Sequence, residues 1–163
     1  MLVLIIYINI ISIFINITMD TLNKFLETYN YFIDCKPCSF INCYEIPNDI
    51  MEQIIFNDGK YKFAFPLNND LLFYETRVIK GPITIRRMLQ IVYNFYKEPL
   101  NVNDIERAFQ GYDYLYDYLK EGKLEDDLPI LKYEVFTTDP DPDFCGLHFN
   151  SETGEYEIEL GPI

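Results

Sequence analysis

Gly81-Pro-Ile-Thr-Ile-Arg-Arg-Met-Leu-Gln-Ile-Val-Tyr-Asn-Phe-Tyr-Lys-Glu-Pro-Leu100 is the most strongly patterned stretch of the chain. Met88, Leu89, Val92, Phe95 and Tyr96 recur at the spacing of one helical face, so an amphipathic helix is predicted here with a broad apolar stripe. Thr84 stands where a side-chain cap belongs. Ile83 and Met88 take the N′ and N4 positions of a hydrophobic staple, and Pro99 stops the helix. Such a stripe must be covered by another element.

Strands on both sides of it supply the cover. Upstream, Lys60 to Phe65 alternates with Tyr61, Phe63 and Phe65 on one side, and Leu71 to Ile79 alternates with Leu72, Tyr74, Thr76 and Val78 on one side. The turn-rich Pro66 to Asp70 joins them. Downstream, Ile130 to Thr137, Phe144 to Asn150 and Glu155 to Leu160 read as strands, the last two joined by Ser151-Glu-Thr-Gly154. In the final strand Tyr156, Ile158 and Leu160 face one way and Glu155, Glu157 and Glu159 the other, the pattern of an antiparallel strand wetted on one face.

The remaining elements are helical. Leu22, Phe25, Leu26, Tyr29 and Phe32 give Asp20 to about Phe32 a helical period with Asp20 or Thr21 as cap. Asn48 to Phe56 is expected to be a short helix with Ile50, Ile54 and Ile55 inward. Asn101 or Asn103 caps another, and Tyr112 to Lys120 forms a last one on Tyr112, Leu115, Tyr116 and Leu119. The expected fold class is α+β: a single domain over residues 19–163, its antiparallel β-sheet packed against several α-helices. A chain of 163 residues with 49% apolar and 24% charged residues has the size and composition for one core.

Residues 1–18, MLVLIIYINIISIFINIT, carry no charge and stand apart. Three readings compete: a membrane anchor or signal, a buried first strand, or an upstream leader ahead of a true start at Met19. Asn9, Ser12 and Asn16 would draw a polar line along a spanning helix, and a basic n-region is missing. Asn16-Ile-Thr18 is a glycosylation sequon that matters only in a secreted chain. The chain is rich in Ile, Asn, Tyr and Phe and holds no Trp. That is the bias of an AT-rich gene, as in a large DNA virus or a protist.

Two stretches carry a resemblance. The helix segment from Gly81 to Leu100, followed by Phe144-Cys-Gly-Leu147 and Tyr156-Glu-Ile-Glu-Leu-Gly161, resembles an uncharacterised family of giant (nucleocytoplasmic large) DNA viruses and some protists and fungi. It covers roughly residues 71–163, and Gly161-Pro162 departs from the Gly-Ser ending of that family. The resemblance implies a viral type of source and, since the family has no assigned activity, no functional residue.

Charge is unevenly spread. Residues 101–163 hold 16 acids against 4 bases, while residues 1–100 hold 10 against 9. A negative face attracts basic partners and repels nucleic acid and anionic lipid, and Arg86-Arg87 is too small a patch for nucleic-acid binding.

The catalytic signatures are thin. Cys35-Lys-Pro-Cys38 with Cys145-Gly-Leu-His148 has the ligand types and local spacing of a zinc site, and His148 is the only histidine. Cys145 and His148 sit three apart in a strand, however, and point to opposite faces unless Gly146 turns or bulges the chain. Cys145 is otherwise expected to be a small core residue beside Leu147 and Phe149. Cys35-Lys-Pro-Cys38 also has the form of a redox dithiol, but a helix rather than a strand precedes it. Asp139-Pro-Asp-Pro-Asp143 lacks the glycine and the bidentate glutamate of a calcium loop. No triad or phosphate loop is present.

The expectation is therefore a non-enzymatic interaction or structural module without cofactor. Its acidic C-terminal face, with Glu155, Glu157 and Glu159 and the exposed Tyr114 and Tyr118, would engage a basic protein partner and no nucleic acid. The setting is intracellular, in host cytoplasm or virion, because the four cysteines are too few for a dense disulfide scaffold. The alternative is a membrane-anchored viral accessory protein using residues 1–18; a zinc-binding or thiol-redox protein comes third.

Overall fold

The computed structural model describes residues 19–27, 46–67, 73–100, 131–132 and 143–161. In chain order these give α1 (19–27), α2 (Asn48–Met51), β1 (Ile54–Phe56), β2 (Lys60–Pro66), β3 (Tyr74–Lys80), β4 (Ile83–Thr84), α3 (Ile85–Tyr96), β5 (Asp143–Asn150) and β6 (Glu155–Gly161). The expected α+β class is what forms: a four-stranded sheet in the order β3-β2-β6-β5, a two-stranded β1-β4 ladder, and helices.

The main sheet is antiparallel at β2-β3 and β5-β6 and parallel at its centre, where Phe63 pairs with Tyr156 and Ala64 with Glu157. The central pairing is non-local, so two hairpins distant in sequence share one sheet. Its inner face carries Phe63, Phe65, Phe144, Leu147, Tyr156 and Ile158, all buried, in one cluster with Leu22, Phe25 and Leu26 of α1 and with the α3 stripe. Burying each large side chain there contributes about 1.5–3 kcal/mol.

Helix α3 forms as its pattern predicts. Thr84 Oγ1 accepts from Arg87 N at 3.3 Å, and Ile85, Met88, Leu89, Val92, Phe95 and Tyr96 are buried. Phe95 stacks on Phe65 with centroids 4.1 Å apart. The Tyr96 hydroxyl reaches through the core to donate to Pro66 O at 2.9 Å. Arg86 binds Glu52 at 2.6 Å and Asn48 Oδ1 at 2.8 Å, fastening α2 to α3.

Three expectations are corrected. Asp20 and Thr21 lie inside α1 rather than at its cap. The expected helix over Asn48 to Phe56 ends at Met51, and Ile54–Phe56 becomes β1, whose partner is β4. Its two isoleucines and phenylalanine suit a ladder, and Ile54 points outward at 58% exposure while Ile55 is buried. The alternation of β3 assigns no inward side; the side that holds Tyr74, Thr76 and Val78 faces out, with Val78 63% exposed, and Glu75, Arg77 and Ile79 face in. Cys145 is exposed rather than in the core, because the ladder slips between Phe144 and Gly146 and Phe144 takes the inward place.

Tyr29, Phe32, the helices expected within 101–120, most of the strand expected over Ile130 to Thr137, and residues 1–18 lie outside the described residues. Among the described residues no helix is long and apolar enough to cross a membrane.

Candidate functional site

Register fixes what the outer face of the sheet presents. Paired residues share a face, so Lys62 lies beside Val78, Ala64 beside Thr76 and Glu157, and His148 beside Glu157. Asn150 lies beside Glu155, and Gly146 beside Glu159. The side chains of Glu155, Glu157 and Glu159 therefore run in a line down the middle of the sheet, on the side opposite the buried Tyr156 and Ile158. On β2 the positions of this face, Ala64 and Pro66, are buried.

A depression of about 380 Å³ is lined by Tyr74, Cys145, His148, Glu157, Ile158, Glu159 and Leu160. Tyr74 reaches toward the carboxylates from β3; burial and then the Glu157 charge push its phenol above the usual value, so it stays protonated as a donor. Thr76 Oγ1 donates to Glu155 Oε2 at 3.4 Å, and Asn150 Nδ2 to Glu157 Oε1 at 2.7 Å. Glu159 is exposed. The row is acidic, concave at one end and held by neighbours on both flanks, an arrangement that can accept donors and cations.

The bulge between Phe144 and Gly146 brings Cys145 and His148 out together into the depression, overriding the strict alternation of a strand. Cys145 Sγ lies against the Gly161 backbone, where an added Cβ would come within 2.5 Å of it. Cys35 and Cys38, the other members of the expected zinc set, lie outside the described residues, as do Tyr114 and Tyr118. Among the described residues no group of three or more His, Cys, Asp or Glu side chains is placed to hold a metal ion.

Tyr74, Thr76 and Asn150 belong to the site without having been expected there. Alternation grouped Tyr74 with Thr76, but only the pairing of β2 to both β3 and β6 sets them beside the glutamates. Compared with protein-family models, curated proteins and solved structures, the chain gives no significant match in any of the three.

Proposed function

We propose that this protein is a non-enzymatic binding module whose outer sheet face receives a basic protein segment. The observation that carries the reading is the line of Glu155, Glu157 and Glu159 on the face of the sheet turned away from the core. Carboxylates at alternate positions of a strand repeat every two residues, as do the side chains of an extended peptide, so a strand-like basic segment matches their spacing. Tyr74 adds an aromatic edge beside them, and tyrosine is favoured at interfaces because it couples apolar area to a hydrogen-bond donor. The net charge of −13 adds a long-range attraction for such a partner. By the resemblance of residues 71–163, the setting is a viral one.

Backbone chemical-shift mapping with a lysine- and arginine-rich decapeptide tests the reading. Shifts are expected along β5, β6 and Tyr74 and should fade as salt rises past the screening range of the face. Shifts spread over α3 and the β1-β4 ladder instead would overturn it.

A further inference from the structure

The described residues on either side of 101–130 in sequence lie next to each other. Pro99 and Leu131 form an antiparallel bridge, and Lys132 N donates to Glu98 O at 3.0 Å. The Lys132 side chain is only 4% exposed, and its Nζ lies 2.8 Å from Glu75 Oε2 and 2.8 Å from Glu98 Oε2. The Phe95 ring closes one side, its centroid 4.0 Å from Nζ. Arg77 completes the group, pairing with Glu75 and, at 2.7 Å, with Glu98, its guanidinium 5.5 Å from the same ring.

Two cations and two carboxylates thus balance in a site that water reaches poorly at Lys132. A buried ammonium is tolerated only while its counter-charges stay ionised, and removing one leaves an uncompensated charge at a cost far above that of a surface pair. The neighbouring core has no such dependence, since Phe63, Phe65, Phe144 and Ile158 are apolar.

We propose that this cluster is an acid-released clasp: it ties Leu131 and Lys132 to β3 and to the segment after α3, and protonation of Glu98 frees Lys132 while the sheet stays folded. Among the described residues, the charged groups facing Lys132 are Glu75 and Arg77 from β3 and Glu98 from the segment after α3. Burial pushes the Glu98 carboxyl up, but Lys132 and Arg77 together outweigh it and hold the carboxyl below the ordinary glutamate value. A lowered carboxyl contributes stability above its unfolded value and loses it as pH falls through the folded one, which places release on the acid side.

Hydrogen exchange of the full chain, followed by NMR and corrected for intrinsic rates, tests the clasp between pH 6.5 and pH 3.5. Protection of the Lys132 amide should fall by about tenfold or more while the amides of β2 and β6 keep theirs. Glu98→Gln should show the released level already at pH 6.5, with a flattened pH profile. Lys132 protection that persists to pH 3.5, or that is lost in step with β2, overturns the proposal, as does a wild-type profile in Glu98→Gln. Should that variant not fold, the wild-type profile decides alone.

Discussion

The Asn150 amide joins the β5-β6 turn to the middle of the acidic row: Nδ2 donates to Glu157 Oε1 at 2.7 Å, while Oδ1 accepts from Glu152 N at 2.9 Å and Thr153 N at 3.3 Å. Both ends of one side chain are thereby used, and the turn closes with Gly154 at φ 71°, donating to Asn150 O at 2.8 Å. Asn150→Ala is expected to cost about 1–2 kcal/mol, a fall of about 2–8 °C in Tm. Asn150→Asp keeps the turn acceptors but sets a like charge against Glu157, so its deficit should be larger at low salt than at high salt. Equal deficits at both salt concentrations in thermal melts would show that the Glu157 contact carries no weight.

The hydrogen bond from the Tyr96 hydroxyl to Pro66 O is fully enclosed, since Tyr96 has no exposed surface. Tyr96→Phe removes the donor and leaves a buried carbonyl unpaired, with an expected loss of about 1–3 kcal/mol in urea unfolding at unchanged m-value. A change below about 0.5 kcal/mol would mean that water reaches the carbonyl.

Helix α1 meets the edge of β5 where Asn23 Oδ1 accepts from Leu147 N at 3.2 Å. Gly146 permits this approach, because an added Cβ would lie 2.7 Å from the same oxygen. Gly146→Ala should push the Asn23 side chain away, costing about 1–3 kcal/mol, and should expose the Leu147 amide to exchange. Retained protection of that amide would contradict the account.

What the sequence declares follows the range of the interactions involved. Helix α3 and strand β6 are legible because a local period and a single buried face decide them: Met88, Leu89, Val92, Phe95 and Tyr96 in one, Tyr156 and Ile158 in the other. The inward side of β3 is not, because Glu75 and Arg77 are polar by type and turn inward only through Lys132 and Glu98, which lie far off in sequence. Ile54 to Phe56 misleads for a related reason, its strand character depending on Ile83 and Thr84 as partners. The glutamate row was legible as a set of residues, but its setting beside Tyr74 and Thr76 rests on the parallel pairing of β2 with β6, which no local pattern announces. Cys145 departs from its expected core place through a one-residue bulge beside Gly146, a slip that reverses a face without changing composition.

Tyr156 supplies an alkaline signature. Packed against Phe56, Phe63 and Phe149, its phenol is pushed up to about 12, by burial first and by Tyr61 second. A raised folded value means that the stabilisation is complete below the ordinary tyrosine value near 10 and is lost as pH rises from about 10 to about 12, because the unfolded chain ionises first. Stability measured in urea should decline across that window, and Tyr156→Phe should decline less. Identical slopes in the two proteins would remove Tyr156 from the explanation.

The central claim concerns a face rather than bulk charge, so the most direct test holds bulk charge constant. Fluorescence anisotropy with a labelled lysine- and arginine-rich decapeptide compares two triple variants: Glu155→Gln, Glu157→Gln and Glu159→Gln on the outer sheet face, and Asp20→Asn, Glu27→Gln and Asp58→Asn at exposed positions elsewhere. Each removes three negative charges. Binding that weakens by about tenfold or more in the first and by less than about twofold in the second is the predicted result, three partly screened contacts of about 0.5 kcal/mol or more each being lost. Equal losses in both, or none in the first, would contradict the account.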